Sequence, residues 1–524
     1  MQQQGFARIN VASVLAESAK RYPEHTAVTL GPQSLNYTQL WAQTRAYAGA
    51  LSARGVGQGT KVALLMPNIP HFAFVYYGAL ALGATVVPVH ALLKRHEIAY
   101  VLEDSGASLL IAAAPLLGEG APGAQAAGVD LLSVLAPEEL GTTRLEDLAA
   151  AATPIDHLEL QDPGAIAAIL YTSGTTGKPK GAMLSHFALL EQTSALLVDT
   201  FDMTDTDKIF GALPLFHIFG QTVVLNLGIR AGAELVLVPK FNGPEAWDAL
   251  LDQGITIMAG VPTMYVGLVE AARGREGTPP ALRYAVSGGA SLPVAVLERF
   301  EQATGARIHE GYGLTETSPV VSFNEVGTDP RPGTIGRPIW GIDAEIADPA
   351  VPDRIVLLPR GELGEVVVRG HNLFSGYLGR PEATAEAVVE GWFRTGDLGT
   401  KDEEDYLRIM DRKKDMVIRN GYNVYPREVE EALLTHPEIA NAAVYGISDP
   451  VHGQEIAASV TLTPASTLTA DAILAYGQER LAAYKYPRIV KIVTEFPMGP
   501  SGKILKRELV RVAEDGPDAA PEAG

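Results

Sequence analysis

The chain reads as an α/β protein of two domains: a large N-terminal domain with α/β sheets and a β-rich subdomain, then a small α+β C-terminal domain. Up to about Pro330, short apolar runs alternate with Ala/Leu-rich amphipathic stretches. That rhythm is the pattern of strands joined by helical crossovers into largely parallel sheets. Beyond it the texture changes to short strands with turns, as in "GELGEVVVRG" and "DYLRIMDRKKDMVIRNG". The charged stretch "DRKKD" then leads into a compact pattern holding "PREVEEALLTHPEI" and "AASVTLTP", which sets a boundary at Asp411.

The elements follow in order. The N-terminal stretch "MQQQGFARINVASVLAESAKRYPEH" has no continuous apolar region, so no secretory signal is expected and a cytoplasmic location follows. "YTQLWAQTRAYAGALSARG" reads as an amphipathic helix, and "KVALLM", "SLLIAA", "AIAAIL", "ELVLVP" and "ITIMAG" read as strands. The uncharged segment from Phe72 to Val89 is nearly long enough to span a bilayer. Its Gly and Ala content, with Pro88 inside, fits a buried helix followed by a buried strand, and no transmembrane segment is expected. The C-terminal "AEDGPDAAPEAG" is acidic and rich in Pro, Gly and Ala, the composition of a disordered tail. The expected limits are 1–410 for the N-terminal domain, 411–510 for the C-terminal domain and 511–524 for the tail. No internal repeat is visible.

Composition bounds the function. A chain of 524 residues, 47% hydrophobic and 19% charged, can bury more than one core. Its formal net charge of −20 argues against a broad nucleic-acid or anionic-membrane footprint. With no cysteine there can be no disulfide, thiolate nucleophile or thiolate metal site. The 11 histidines form no H-E-x-x-H pattern, and no G-x-S-x-G elbow is present. "GEGAPG", Gly118 to Gly123, has Pro122 inside and no strand-to-helix setting, so it is set aside as a dinucleotide loop.

The stretch "YTSGTTGKPKGAM", Tyr171 to Met183, follows the apolar run "AIAAIL". Its small and hydroxyl residues let backbone NH groups and hydroxyls converge on an anion, with Lys178 and Lys180 supplying charge. It is not a Walker A loop, because Gly174 and Gly177 have the wrong separation and Pro179 follows Lys178. By composition alone, a plain connector explains it equally well.

The full string is more specific. It resembles the phosphate-binding loop of the adenylate-forming superfamily, which includes acyl-CoA synthetases, firefly luciferase and the adenylation domains of peptide synthetases. The resemblance continues in the family's order through "LPLFHIFGQ", "VSGGASL", "EGYGLTET", "WFRTGDLG", "DRKKDMVIRNGYNVYPREVEE" and "GPSGKILKREL". It implies two half-reactions: a carboxylate attacks the α-phosphate of ATP to give an acyl-adenylate and pyrophosphate, and a thiol then displaces AMP.

Matched residue by residue, the resemblance implies that Thr172, Ser173, Gly174, Thr175, Thr176, Gly177 and Lys180 hold the departing phosphates. It implies that Gly289, Ala290 and the run Glu310, Gly311, Tyr312, Gly313, Leu314 and Thr315 line the nucleotide. Glu316 would bind magnesium, with Thr172 as a second contact. Asp397 would take the ribose hydroxyls, with Arg412 beside it. Lys503 matches the adenylation lysine, and Asp411 the hinge about which a mobile C-terminal lid swings. That rotation would bring Asn420, Gly421 and Tyr422 to complete a route for the thiol arm.

The same resemblance addresses the substrate. Amino-acid-activating relatives generally carry an Asp near "LPLFHIFGQ" to pair with the amine, whereas Ile218 follows His217 here. A buried ammonium without a counter-charge is costly, so an α-amino acid is disfavoured. His217 matches a position beside the acyl carboxylate. With it, Ile218, Phe219, Gly220, Gln221, Val286, Ser287 and Gly288 look like an apolar acyl pocket, similar to that of medium- and long-chain fatty acyl-CoA ligases. The expected acceptor is CoA, with Lys485, Arg488 and Lys491 as candidates to face its phosphates. The alternatives are a ligase loading the phosphopantetheine thiol of a holo acyl carrier protein, and a non-catalytic nucleotide-binding relative. A homodimer follows only from family habit.

Overall fold

The computed structural model describes residues 8–172, 178–275, 277–464, 466–499 and 504–515. Its first layer is a six-stranded sheet in the spatial order Asp130–Val134, Leu109–Ala113, Lys61–Leu65, Thr85–Pro88, Ile166–Thr172, Lys180–Ser185. All pairs are parallel except the last, which is an antiparallel hairpin. The strand Leu109–Ala113 is buried at every position, as expected of a parallel strand covered on both faces.

The helix Tyr37–Ala53 opens with a reciprocal cap, in which Asn36 Oδ1 accepts from the Gln39 N–H and Gln39 Oε1 accepts from the Asn36 N–H. Such a cap is worth about 1 kcal/mol. The helix Pro70–Ala81 starts with proline at its first position and buries Phe72, Tyr76 and Tyr77 completely. It is the expected buried helix, and the strand Thr85–Pro88 follows it. No helix among the described residues is long and apolar enough to cross a membrane.

A second sheet has nine strands, and its middle is parallel. There Glu234–Leu237, Lys208–Gly211, Ile257–Gly260, Tyr284–Ser287 and Ile308–Gly313 lie side by side, with Gly260 opposite Ser287 and Ser287 opposite Glu310. The carboxyl ends of such strands are where open α/β sheets bind ligands. The predicted β-rich region is an antiparallel sheet of Ile342–Ala347, Gly364–Gly370, Val388–Val389, Trp392–Lys401 and Leu407–Arg412.

Beyond this sheet the C-terminal domain packs the helices Pro426–Leu434 and Ala470–Arg480 on a sheet whose long strands are Ile439–Asp449 and Gly453–Leu462. Val429, Leu433, Val444, Ile456, Val460 and Ile473 are its buried core. The expected boundary at Asp411 falls inside a strand, since Asp411 pairs with Leu398 and Arg412 with Asp397. The limit at 510 needs correction. The helix Lys506–Asp515 runs through 511–515, held by buried Leu509 in a cluster with Tyr445 and Phe496, and by the Ser448 N–H donating to Glu514 Oε1 at 2.7 Å. "GEGAPG" lies within the helix Leu117–Ala127 rather than at a strand-to-helix turn.

Candidate active site

The hairpin of the first sheet sets Thr172 opposite Lys180. Within the loop they close, Ser173, Gly174, Thr175, Thr176 and Gly177 lie outside the described residues. A Walker A loop runs from strand into helix. This loop returns as the strand Lys180–Ser185, so no helix N-terminus immediately follows it. Lys180 Nζ sits over the Tyr377 ring, 5.2 Å from its centroid, and Lys178 Nζ stands at the same distance over Tyr100. The loop's base is pinned as well: the Tyr171 hydroxyl donates to Asp104 Oδ2 at 2.8 Å, and the Tyr100 hydroxyl to the Pro179 carbonyl at 2.9 Å.

The strand Ile308–Gly313 is followed by Leu314, which leads into the short helical turn Thr315–Thr317. Glycine is required at position 313, because a Cβ there would meet the Pro319 carbonyl oxygen at 1.8 Å. At Gly311 it would meet the Phe323 ring at 2.5 Å. Glu310 is buried and accepts the Leu292 N–H at 3.1 Å. Burial pushes its carboxyl up to about 7, against the opposing pull of Arg427. Gly289 takes a positive φ of 81°, and Ala290 beside it is exposed.

Glu316 is buried, and the Tyr377 hydroxyl donates to its Oε1 at 2.7 Å. Burial raises this carboxyl above the ordinary carboxylate range, and the Tyr377 hydrogen bond works the other way. Asp397 ties two of the recognised strings together: the Tyr312 hydroxyl donates to its Oδ2 at 2.5 Å, and Arg412 Nε lies 3.1 Å from its Oδ1. An ionised carboxylate offers about four lone-pair sites, the acceptor chemistry that a diol's two hydroxyls call for. Burial and then the Asp397 charge hold the Tyr312 phenol well above its ordinary range, so it remains a donor.

The predicted acyl wall is brought together in part. A Cβ on Gly288 would meet the Phe219 ring at 3.1 Å and the Gly311 carbonyl at 3.4 Å, so this glycine stands where the segment of Phe219 meets the strand Ile308–Gly313. Ile218 and Val286 are fully buried, and Gly220 packs so closely on the Pro214 carbonyl that a Cβ would come within 2.3 Å. His217 is half-buried, with its Nδ1 accepting the Phe219 N–H at 3.2 Å. Gln221 accepts from the Tyr76 hydroxyl at 3.4 Å. Its Nε2, and the Oγ of Ser287, are buried without a protein hydrogen-bond partner.

The C-terminal residues distribute differently. Lys503 lies outside the described residues. Asn420, Gly421 and Tyr422 are exposed, and the Asn420 contact with His452 and the Tyr422 contact with Tyr484 both stay within their own domain. Asp411 Oδ2 accepts the Arg427 N–H at 3.0 Å, which joins the hinge position to the first turn of the helix Pro426–Leu434. The three cations offered for CoA phosphates are engaged internally. Lys485 donates to both oxygens of Glu428, Arg488 to the carbonyls of Tyr486 and Ala483, and Lys491 to that of Val512.

Among the described residues no group of three or more His, Asp or Glu side chains is placed to hold a metal ion. Glu316 and Thr172 carry hard oxygen donors of the kind magnesium takes, and that ion completes its shell with water and substrate phosphates rather than a protein cage. Two clefts of about 510 and 480 Å³ lie elsewhere, one beside Ser18 and Arg230, the other beside Tyr47 and Glu146. Sequence reasoning missed Tyr377 and Asp104. Neither belongs to a recognised string, and their contacts to Glu316 and Tyr171 span 61 and 67 residues, beyond any local period.

Known proteins resemble this chain along nearly its whole length. The family profile of AMP-binding enzymes matches residues 15–378, and that of the AMP-binding enzyme C-terminal domain matches residues 428–503. The chain is 33% identical over 526 residues to a long-chain-fatty-acid–CoA ligase of Bacillus subtilis, covering 95% of this chain and 93% of that one. It is 36% identical over 494 residues to a feruloyl-CoA synthase of Amycolatopsis, covering 94% and 97%. The crystal structure of ATP-bound MatB from Rhodopseudomonas palustris superposes with a TM-score of 0.86 at 30% identity, covering 97% of this chain and 99% of that one.

Proposed function

We propose that this chain, which belongs to the AMP-binding enzyme family, is an ATP-dependent acid–CoA ligase whose acid is an apolar, fatty one. The acid's carboxylate displaces pyrophosphate from ATP to give an acyl-adenylate, and the CoA thiol then displaces AMP. What supports this assignment is the position of Tyr377, which has Lys180 over its ring and Glu316 on its hydroxyl, beside the hairpin loop. A cation and a buried carboxylate held in place before the nucleotide arrives form a preorganised setting for phosphoryl charge.

In this reading Asp397 takes the ribose hydroxyls, while Glu316 and Thr172 hold magnesium, which when bound neutralises phosphate charge. Lys503 supplies the cation at the α-phosphate, and rotation about Asp411 exchanges the half-reactions. Ile218, Phe219 and Val286 offer an apolar wall with no counter-charge for an ammonium, which favours a fatty acid over an amino acid. One observation favours a second reading. The buried Gln221 Nε2 and Ser287 Oγ would be satisfied by a hydroxylated aromatic acid, the kind of acid a feruloyl-CoA synthase is named for.

The test is a panel of short- to long-chain fatty acids and hydroxycinnamic acids with ATP, magnesium and either CoA or holo carrier proteins. Pyrophosphate is followed, and the thioester is read by mass spectrometry. Acyl-CoA from a fatty acid supports the main reading, and feruloyl-type CoA supports the second. Thioester on a carrier protein alone would overturn CoA as the acceptor.

A further inference from the structure

We propose that Tyr377 is a positioning residue for the adenylation half-reaction, fixing the Glu316 carboxylate with its hydroxyl and seating the Lys180 ammonium on its ring. The inference rests on the function proposed above, since it takes Glu316 and Lys180 as the groups that meet the nucleotide's magnesium and phosphates.

The backbone shows how Tyr377 comes to stand between them. The segment from Phe374 to Leu378 is hydrogen-bonded to both carriers. On one side it lies along the strand Lys180–Ser185: the Met183 N–H donates to the Gly376 carbonyl at 3.0 Å, the Ser375 N–H to the Met183 carbonyl at 2.8 Å, and the Leu378 N–H to the Gly181 carbonyl at 2.8 Å. On the other side, the Phe374 N–H donates to the Glu316 carbonyl at 2.9 Å. The segment therefore ties the strand that starts with Lys180 to the turn that carries Glu316.

Its far end is anchored too. Arg380 Nη2 lies 2.7 Å from Asp104 Oδ1, and the other oxygen of Asp104 accepts the Tyr171 hydroxyl at the base of the phosphate loop. The Tyr377 ring packs edge-on against Phe374 with centroids 4.8 Å apart. A buried carboxylate held by a charge-assisted hydrogen bond has one orientation rather than several. A cation over an aromatic face is likewise localised without being neutralised.

The variant Tyr377→Phe keeps the ring and the backbone clamp and removes only the hydroxyl. It is expected to lower kcat for acid-dependent pyrophosphate release about tenfold, the loss of one hydrogen bond to a charged group, with the acid's KM changed less than about twofold. By calorimetry, its affinity for magnesium–ATP should fall about fivefold while its affinity for metal-free ATP stays within about twofold. Tyr377→Leu, which also removes the seat of Lys180, should weaken metal-free ATP binding as well, by about threefold.

Equal losses of magnesium-bound and metal-free affinity in Tyr377→Phe, with a lowered melting temperature, would show a packing role and overturn the proposal. Wild-type rate and affinities in Tyr377→Phe would also overturn it, provided Glu316→Gln is impaired. If Glu316→Gln itself releases pyrophosphate at the wild-type rate, the failure lies in the site reading on which the proposal rests.

Discussion

Asp397 and Arg412 face each other across two antiparallel strands, with Arg412 Nε 3.1 Å from Asp397 Oδ1, and the Tyr312 hydroxyl holds the other oxygen of Asp397. This arrangement joins three stretches of sequence at one carboxylate: the strand Ile308–Gly313, the "RTGD" strand and the strand Leu407–Arg412. Asp397→Asn keeps the shape but loses the charge that Arg412 faces and half of the acceptor capacity for a diol. It is expected to weaken ATP binding about tenfold by calorimetry, the cost of one charge-assisted hydrogen bond. A change of less than twofold would remove Asp397 from the nucleotide site.

Glu310 sets a pH dependence of stability. Burial pushes its folded-state carboxyl up to about 7 from an ordinary 4.5. The folded protein therefore keeps a proton that the unfolded chain releases between those values, so stability falls as pH rises through that window. The difference amounts to about 3 kcal/mol by pH 8. Glu310→Gln, which can still accept the Leu292 N–H, should melt at a higher temperature than the parent at pH 8 and show no such gain at pH 5. Thermal melts across that range check it, and a gain of equal size at both pH values would contradict it.

Gly313→Ala tests the close approach of the nucleotide strand to Pro319. A Cβ there meets a backbone oxygen at 1.8 Å, which no rotamer can relieve. The expected cost is about 2 kcal/mol or more of stability, with loss of nucleotide binding as the turn that carries Glu316 shifts. Denaturant melts and ATP calorimetry on the same preparation measure both, and unchanged values would mean that the turn tolerates the methyl.

Lys503→Ala separates the two half-reactions. Without that ammonium, acid-dependent pyrophosphate release should fall by about two orders of magnitude or more, because one preorganised charge at a reacting phosphoryl centre is worth about that much. ATP binding, and transfer from supplied acyl-adenylate to CoA, should persist. Loss of transfer as well would place Lys503 outside the role proposed for it.

Much of the fold was legible because its strands carry their own signals. "KVALLM" and "SLLIAA" are buried parallel strands, "AIAAIL" is a buried strand parallel to one neighbour and antiparallel to the other, and each shows as an apolar run. Nucleotide-site candidates such as Tyr312, Asp397 and Arg412 could be named because each sits in a recognised string, although nothing local linked them to one another. What stayed hidden depends on contacts across long stretches of chain. Tyr377 owes its place to backbone pairing with Gly181 and Met183, and Asp104 to a helix whose only link to the phosphate loop is spatial. By composition the helical residues 511–515 belong with the acidic tail, and what holds them in the fold, the apolar contacts of Leu509, Val510 and Ala513, exists only once Tyr445 and Phe496 are in place.

The central claim is that this constellation activates a carboxylic acid as its adenylate, and acid-dependent exchange of labelled pyrophosphate into ATP tests it most directly. With magnesium present and CoA absent, label should enter ATP only when a suitable acid is added, and Glu316→Gln should slow that entry. A protein that binds ATP yet exchanges no pyrophosphate with any acid, fatty or aromatic, would contradict the account.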